Sequence, residues 1–387
     1  MTPEAYLIDA VRTPFGRHRG GLSGIRTDDL AALPLIELVR RYPGLEPDDV
    51  ILGDTNGAGE DNRDVARMAV LLAGLPVTVP GVTVNRLCAS GAEAVNQAAR
   101  AVRAGDADLI VAGGVESMSR APFVLPKPET GFPASLEVYQ TQVGWRMVNP
   151  KFPDAWTASL GACAETVAAE LGIGRAEQDA WALRSHQRAA AAWDAGLHDY
   201  ALPVEGVTRD ESIRADTSLD KLSGLKPAFS RDGTVTAGNA SPINDGAVAT
   251  LVGSRSTVDQ LGVAPLGRIV AGATVGVSPE RFSVAPVPAI QKVLKRTGLS
   301  TSDIAVWELN EAFAAQVLSC LHEFPDVDRE RVNPNGGAIA IGHPLGASAP
   351  RVIVDLCREL RRRGGGYGMA AACIGVGQGT AMVVRVD

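Results

Sequence analysis

The sequence predicts an α/β layered protein made of two similar halves around an inserted covering segment. Three observations lead there. Short apolar runs alternate with helix-like stretches across the first hundred residues, with short connections between them. The alternation stops near residue 119 and resumes from about residue 265. The two outer parts also echo each other. VNRLCASGAEA precedes a helix and the strand DLIVAGG, and VNPNGGAIAIGHPLGAS precedes a helix and the strand GMAAACIG.

The elements follow in order. AYLIDAV, residues 5–11, reads as a strand. Ala89–Arg103 reads as a helix whose alanines let it pack closely on a sheet. GDAD then forms a turn into a buried strand at Asp108–Gly114. Residues 119–245 carry few strand signals, as in PFVLPKPETGFPAS and NPKFPDAW. One helix stands out there, Ala176–Ala195, with Glu177 and Asp179 in its first turn and Gly196 as its C′ stop. An irregular insertion of this length is expected to cover a site, not to form a core of its own. Past residue 265, Pro350 is expected at the first position of a helix. Val352, Ile353, Leu356, Cys357 and Leu360 make its apolar face, and RRR then GGG end it. Two strands joined by a glycine-rich turn close the chain. The division expected is 1–118 with 246–264, then the insertion 119–245, then 265–387.

Composition narrows the class. A chain of 387 residues with 45% apolar and 21% charged side chains is globular and long enough for two to three domains. The 42 glycines and 24 prolines mean many tight turns, since they show no triplet period. A net charge of −7 argues against nucleic acid or an anionic membrane as partner. No apolar run approaches the ~18 residues of a membrane span, and the N-terminal residues show no targeting pattern. The five cysteines, at 88, 163, 320, 357 and 373, are odd in number and lack C-x-x-C spacing. That speaks against a disulfide framework or a metal site and for a reducing, cytoplasmic setting.

Four side chains could carry chemistry. Cys88 sits at a predicted helix start among Ala89, Ser90 and Gly91. There the free N–H groups and helix dipole favour a thiolate, and small neighbours admit a carbonyl. A buried structural cysteine is the other reading. Of the five histidines only His343 lies in a glycine-rich, almost uncharged loop, where it could serve as a general base or be satisfied within a turn. Cys373 ends an apolar strand before G-V-G-Q-G. It is either a small residue ahead of a hairpin or part of a site whose glycine N–H groups bind an oxyanion. Asn310, after AVWEL, reads locally as a helix cap and otherwise as the holder of a water or carbonyl oxygen.

Together these fragments resemble one family. N-R-L-C-A-S-G, G-G-V-E-S-M-S, G-N-A-S-P-I-N-D-G-A, N-E-A-F-A-A-Q, G-G-A-I-A-I-G-H-P-L-G-A-S and C-I-G-V-G-Q-G stand in the order found in thiolases, the acyl-CoA C-acyltransferases. The resemblance runs from A-V-R-T-P-F-G at residue 10 to the C-terminus. It implies a thiolase-like fold, with two βαβαβαββ halves in an αβαβα arrangement and a loop domain shaping the coenzyme A site. Cys88 would take the acyl group, His343 would activate it, and Cys373 would exchange the α-proton of acetyl-CoA, in two covalent half-reactions. One oxyanion hole would use His343 and a water held by Asn310. The other would use the N–H groups of Cys88 and Gly375. Arg214, in S-I-R-A-D-T-S, would meet the nucleotide and Ser241 the pantetheine. Coenzyme A and acyl-CoA are substrates, and no cofactor or metal is implied. A homodimer or homotetramer is.

Several positions depart from the family pattern. Val376 stands for a glycine, and glycine on both sides predicts an ordinary φ below zero there. Ala349-Pro350 and Pro242 replace small residues. Ser159-Leu160 stands where β-ketoadipyl-CoA thiolases keep Ser-Met. E-D-N-R-D-V-A-R-M-A and V-G-W-R-M-V-N-P resemble those same enzymes, so the resemblance points to a degradative 3-ketoacyl-CoA thiolase and, within that group, to 3-oxoadipyl-CoA. Arg146 would then meet the terminal carboxylate, or else form a structural salt bridge. The alternatives are a short-chain acetyl-CoA acetyltransferase, a decarboxylating ketoacyl synthase, and a binding protein of the same fold without catalysis.

Overall fold

The computed structural model describes residues 3–387. The first half contributes strands β1 (Ala5–Arg12), β2 (Asp49–Gly53), β3 (Gly81–Val84), β4 (Leu109–Ser117) and, beyond the insertion, β5 (Asn244–Gly253). Its helices are α1 (Thr27–Arg41), α2 (Val65–Leu72) and α3 (Ser90–Ala104). The insertion carries α4 (Leu160–Glu170) and α5 (Arg175–Asp194). The second half supplies β6 (Gly267–Gly276), α6 (Pro286–Thr297), β7 (Ile304–Leu309), α7 (Ala314–His322), α8 (Leu345–Arg362), β8 (Gly366–Ile374) and β9 (Gln378–Val386).

The strand order is β7-β8-β9-β6-β1-β5-β4-β2-β3, with the two-residue strand Gly16–Arg17 beside β5. The order makes the duplication explicit. In one half β2 runs parallel to β4, and antiparallel pairs β4–β5 and β5–β1 follow. In the other, β7 runs parallel to β8, and antiparallel pairs β8–β9 and β9–β6 follow. A parallel bridge between Trp307 and Val332 stands where β3 lies in the first half. The two sheets are not separate. Ala5, Tyr6 and Leu7 pair with Ile269, Arg268 and Gly267, so one hydrogen-bonded network spans both halves.

Alternation along the strands builds the layers. In β4, Ile110 and Ala112 face a central core with Ala92, Val95 and Ala99 of α3 and Val352, Ile353 and Leu356 of α8. Val111 points the other way, towards Leu30 and Leu35 of α1 and Val65 of α2. In β9, Met382 and Val384 face the central helices, and Val383 faces Ile290 of α6 and Val317 of α7.

Two local expectations are corrected. Pro350 does not open its helix: α8 begins at Leu345 and Pro350 lies inside it. The five preceding residues, L-G-A-S-A, are mostly small, and the Ala347 and Ser348 N–H groups bond back to the Pro344 carbonyl, which extends the helix by a turn. The insertion also holds a second long helix, α4, capped by the Ser159 side chain on the Ala162 N–H. Its apolar stripe of Ala164 and Ala168 is too small to stand out in the sequence. It packs, with Trp181 and Ala182 of α5, into the same core as the second half. As expected, α5 ends in a glycine stop: Gly196 has φ of 70°, and the Leu197 N–H bonds the Ala192 carbonyl at 2.9 Å.

Candidate active site

Four chain segments converge at the carboxyl ends of the parallel strands, where open α/β sheets leave a crevice. Cys88 follows β3 in a 3-10 turn, Leu87–Ala89, that leads into α3. Asn310 follows β7 directly, its N–H bonded to the Ala371 carbonyl at 2.9 Å. His343 lies just ahead of α8. Cys373 sits near the end of β8, and Gly375 is in the hairpin turn after it. All four side chains are buried.

The hydrogen bonds of His343 settle its tautomer. Its Nδ1 lies 2.6 Å from Ser348 Oγ, and that hydroxyl donates its own hydrogen to the Pro344 carbonyl at 2.8 Å. Ser348 therefore accepts from Nδ1–H, which leaves Nε2 with the free lone pair. Asn310 Nδ2 stands 3.3 Å from that Nε2. The His343 backbone N–H is held by Asn244 Oδ1 at 2.9 Å. Burial, with Arg351 nearby, holds the imidazole down at about 4, so it is neutral at physiological pH. Asn310 is not a helix cap. Helix α7 starts at Ala314, and the Asn310 Oδ1 is buried with no partner among the described residues, an acceptor available to a substrate or water.

Two backbone groups pull the Cys88 thiol down, the N–H of Gly375 and that of Cys88 itself. They favour the thiolate, as the helix-start position predicts, but burial outweighs them and the thiol lies above its ordinary value. The resting pair is thus a thiol beside a neutral imidazole. Burial also pushes the Cys373 thiol up, and the nearness of Cys88 adds to it, since two adjacent thiols resist ionising together. Cys320 and Cys357 are pushed up to about 12 by burial and have no donor set of this kind.

Neighbouring side chains brace the site. Arg86 joins Glu93 of α3 at 3.0 Å and Gln378, the first residue of β9, at 3.1 Å, tying the Cys88 turn to the far side of the hairpin that follows Cys373. Buried Glu311 accepts from Trp181 Nε1, Ser185 Oγ, Asn333 Nδ2 and the Ile339 N–H. It anchors α5 and the loop before His343 to the Asn310 segment. The turn after Cys373 differs from expectation. Val376 has φ of 63° and Gly377 of 68°. The loop between the paired Ile374 and Gln378 is three residues long, and its last two are the left-handed ones. Gly375 is not one of them, so the strain falls on Val376.

The other expected residues lie around this centre. Ser241 is half-buried, and its N–H bonds the Ala312 carbonyl at 2.9 Å, two residues from Asn310. Arg214 is exposed at the surface of the insertion, and its backbone N–H bonds His186 Nδ1 at 3.1 Å. Arg146 is half-buried and makes no ion pair or hydrogen bond among the described residues, so it forms no salt bridge within the loop. Next to it, Trp145, Phe152 and Trp156 form an aromatic ladder with centroids 6.3 and 6.2 Å apart. The ladder leads to Ala158, which packs on the Cys373 cluster, and to Leu160, which stands over Gly375.

Comparison with known proteins agrees with this geometry. The thiolase N-terminal domain pattern matches residues 5–256 and the thiolase C-terminal domain pattern residues 263–386. The chain belongs to the thiolase family. It is 52% identical to a β-ketoadipyl-CoA thiolase of Escherichia coli, over 99% of each chain. It is 48% identical to a β-ketoadipyl-CoA thiolase of Pseudomonas aeruginosa, over the full length of both. The structure of human mitochondrial 3-ketoacyl-CoA thiolase in complex with CoA superposes with a TM-score of 0.93 at 36% identity, covering 100% of this chain and 98% of that one. This thiolase is accordingly an acyltransferase of acyl-CoA substrates. Sequence reasoning did not single out Ser348, Asn244 or Glu311. Each lies inside a quoted motif, but the partners of Asn244 and Glu311 are far away in the chain, and the Ser348 contact depends on how the start of α8 folds back on His343.

Proposed function

We propose that this thiolase cleaves 3-oxoadipyl-CoA with coenzyme A, giving acetyl-CoA and the four-carbon succinyl-CoA. The observation that carries the chemistry is the set of groups gathered here: Cys88 influenced by the Cys88 and Gly375 N–H groups, Cys373 near it, and His343 with Nε2 against Asn310. His343 Nε2 takes the Cys88 proton as the sulfur attacks the 3-keto carbon. The two N–H groups receive the negative oxygen that forms. The bond between C2 and C3 then breaks, the Cys373 thiol protonates the departing enolate, and succinyl stays on Cys88. His343 and a water on Asn310 stabilise the enolate oxygen. Coenzyme A, deprotonated in turn, takes the succinyl group from the sulfur. Ser241 lines the pantetheine path and Arg214 meets the nucleotide phosphates.

The relatives named for β-ketoadipyl-CoA support the dicarboxylic substrate. So does Arg146, an unpaired guanidinium in the segment over the site, suited to a terminal carboxylate. Exposed apolar side chains between 123 and 156, including a fully exposed Phe132, support assembly into a homo-oligomer. Five free cysteines support the cytoplasm as its location. No helix among the described residues is long and apolar enough to cross a membrane.

The test compares thiolysis of 3-oxoadipyl-CoA and acetoacetyl-CoA by the wild type and Arg146→Ala, with peptide mapping of the trapped acyl group. The wild type should prefer 3-oxoadipyl-CoA and carry succinyl on Cys88. Arg146→Ala should lose roughly tenfold or more on that substrate alone. A preference for acetoacetyl-CoA would remove the substrate assignment, and an acyl group on Cys163, Cys320 or Cys357 would remove the nucleophile.

A further inference from the structure

Glu116, in the G-G-V-E-S-M-S fragment, has no part in the chemistry above, yet it stands between the two segments that perform it. It is buried, one residue before the end of β4. Its Oε2 accepts from the Gly346 N–H at 3.0 Å, three residues beyond His343 in the first turn of α8. The same carboxylate accepts from the Thr55 N–H at 3.2 Å and the Thr55 hydroxyl at 2.6 Å. The Thr55 carbonyl in turn accepts from Asn85 Nδ2 at 2.8 Å, and Asn85 Oδ1 accepts from the Leu87 N–H at 2.9 Å. Leu87 has φ of 47° and immediately precedes Cys88. A strained turn persists only where its surroundings over-determine it, and this string of bonds is what holds it.

We infer that Glu116 is a positioning residue, a strut that sets the Cys88 turn against the His343 helix across the boundary between the two halves of the fold. The inference rests on Cys88 and His343 being the reacting pair. One carboxylate suits the task because all three groups facing it from these elements are donors, and a carboxylate offers only acceptors. The acidic side chains Asp54 and Asp61 lie on the other side. Asp54 Oδ1 is buried without a partner, and its carboxyl is held well above the usual range by burial and by Glu116. Burial raises Glu116 as well, and its three donors favour its charged form. A misplacement of about 1 Å at such a turn is enough to cost on the order of a hundredfold in rate.

The experiment measures single-turnover acylation of Cys88 by acetoacetyl-CoA, the KM for that substrate and thermal unfolding in the wild type, Glu116→Ala, Glu116→Gln and Asn85→Ala. Glu116→Ala should acylate at least tenfold more slowly with KM within about twofold of the wild type. Glu116→Gln should recover most of that rate, because its amide oxygen can accept from both N–H groups while the Thr55 hydroxyl turns to accept from the amide. Asn85→Ala breaks the strut at its solvent-facing end, so it reports on positioning even if Glu116→Ala does not fold. It should slow acylation with no change in KM. Wild-type acylation in Asn85→Ala or in folded Glu116→Ala, or a Gln variant as slow as the Ala variant, would overturn the inference. If the wild type itself left Cys88 unmodified, the fault would lie with the nucleophile and not with the strut.

Discussion

Val376 carries a β-branched side chain on a left-handed backbone, with φ of 63°, and that side chain is 43% exposed. It therefore bears conformational strain without a compensating buried contact. Strain of this kind is worth about 1–3 kcal/mol. Val376→Gly is expected to raise unfolding stability by about 1 kcal/mol, the gain offset in part by the freer unfolded chain. Urea denaturation of the two proteins checks it, and a less stable glycine variant would show that the turn is not strained at this residue. Glycine neighbours on both sides had predicted the opposite angle. What a turn demands of each position depends on how the strands on either side twist, and Ile374 and Gln378 pair directly across this one.

Helices α3 and α8 meet with their backbones almost touching, and this brings Cys88 and His343 together. A Cβ on Gly91 would lie 2.4 Å from the Gly346 carbonyl oxygen and 2.3 Å from Pro350 Cγ, and one on Gly346 would lie 2.3 Å from the Val115 carbonyl. Pro350 lacks the N–H that would otherwise bond the carbonyl four residues back, that of Gly346. That oxygen is left pointing at Gly91 and Gly114. Gly91→Ala should force the helices apart and cost roughly 1–3 kcal/mol, as overpacking does. It should also slow acylation of Cys88, because the two helix starts move with their helices. Stability and acylation measured on one sample decide it. An alanine variant matching the wild type in both would mean that the helices separate without moving the reacting groups.

At the scale of the whole molecule, buried charge ties the insertion to the first half. Arg12 of β1 is fully buried against Asp210 of the insertion at 2.7 Å, and Asp210 also accepts from the Phe15 N–H and Trp193 Nε1. His198 lies beside this hub. Its ring packs on Trp193 at a tilt of 43°, centroids 5.1 Å apart, and neither ring nitrogen has a hydrogen-bond partner among the described residues. Burial holds His186, His198 and His343 all at about 4, against an ordinary value of 6.5. The unfolded chain then binds more protons than the fold between pH 6.5 and 4. The stability these histidines contribute is present above 6.5 and is lost as pH falls through 4. Glu116, pushed up to about 7 by burial, acts with the opposite sign, losing its contribution as pH rises through 7. Comparing variants separates the two. His198→Phe should flatten the fall in stability between pH 6.5 and 4.5 by up to about 3 kcal/mol. Equal slopes in urea titrations of the two proteins would mean that His198 does not titrate there.

The family, the doubled architecture and the candidacy of Cys88, His343, Cys373 and Asn310 were legible in the sequence. They reside in short contiguous fragments, where residue type and order are the signal. The helix α5 with its glycine stop and the strands of the central sheets were legible for the same reason, since periodicity and capping are local. The tertiary structure alone decided what depends on distant partners. Asn310 turns its amide to His343 instead of capping α7, because the loop after β7 lies against the start of α8. Pro350 sits within its helix because Pro344 and the small residues after it begin the helix a turn earlier. The Cys88 thiol stays protonated at rest because burial beneath the two halves outweighs the helix start, a competition between desolvation and hydrogen bonding that no local fragment contains. The strut from Glu116 to Leu87 joins residues 55, 85, 116 and 346, four segments that only the folding of the two halves against each other brings within hydrogen-bond reach.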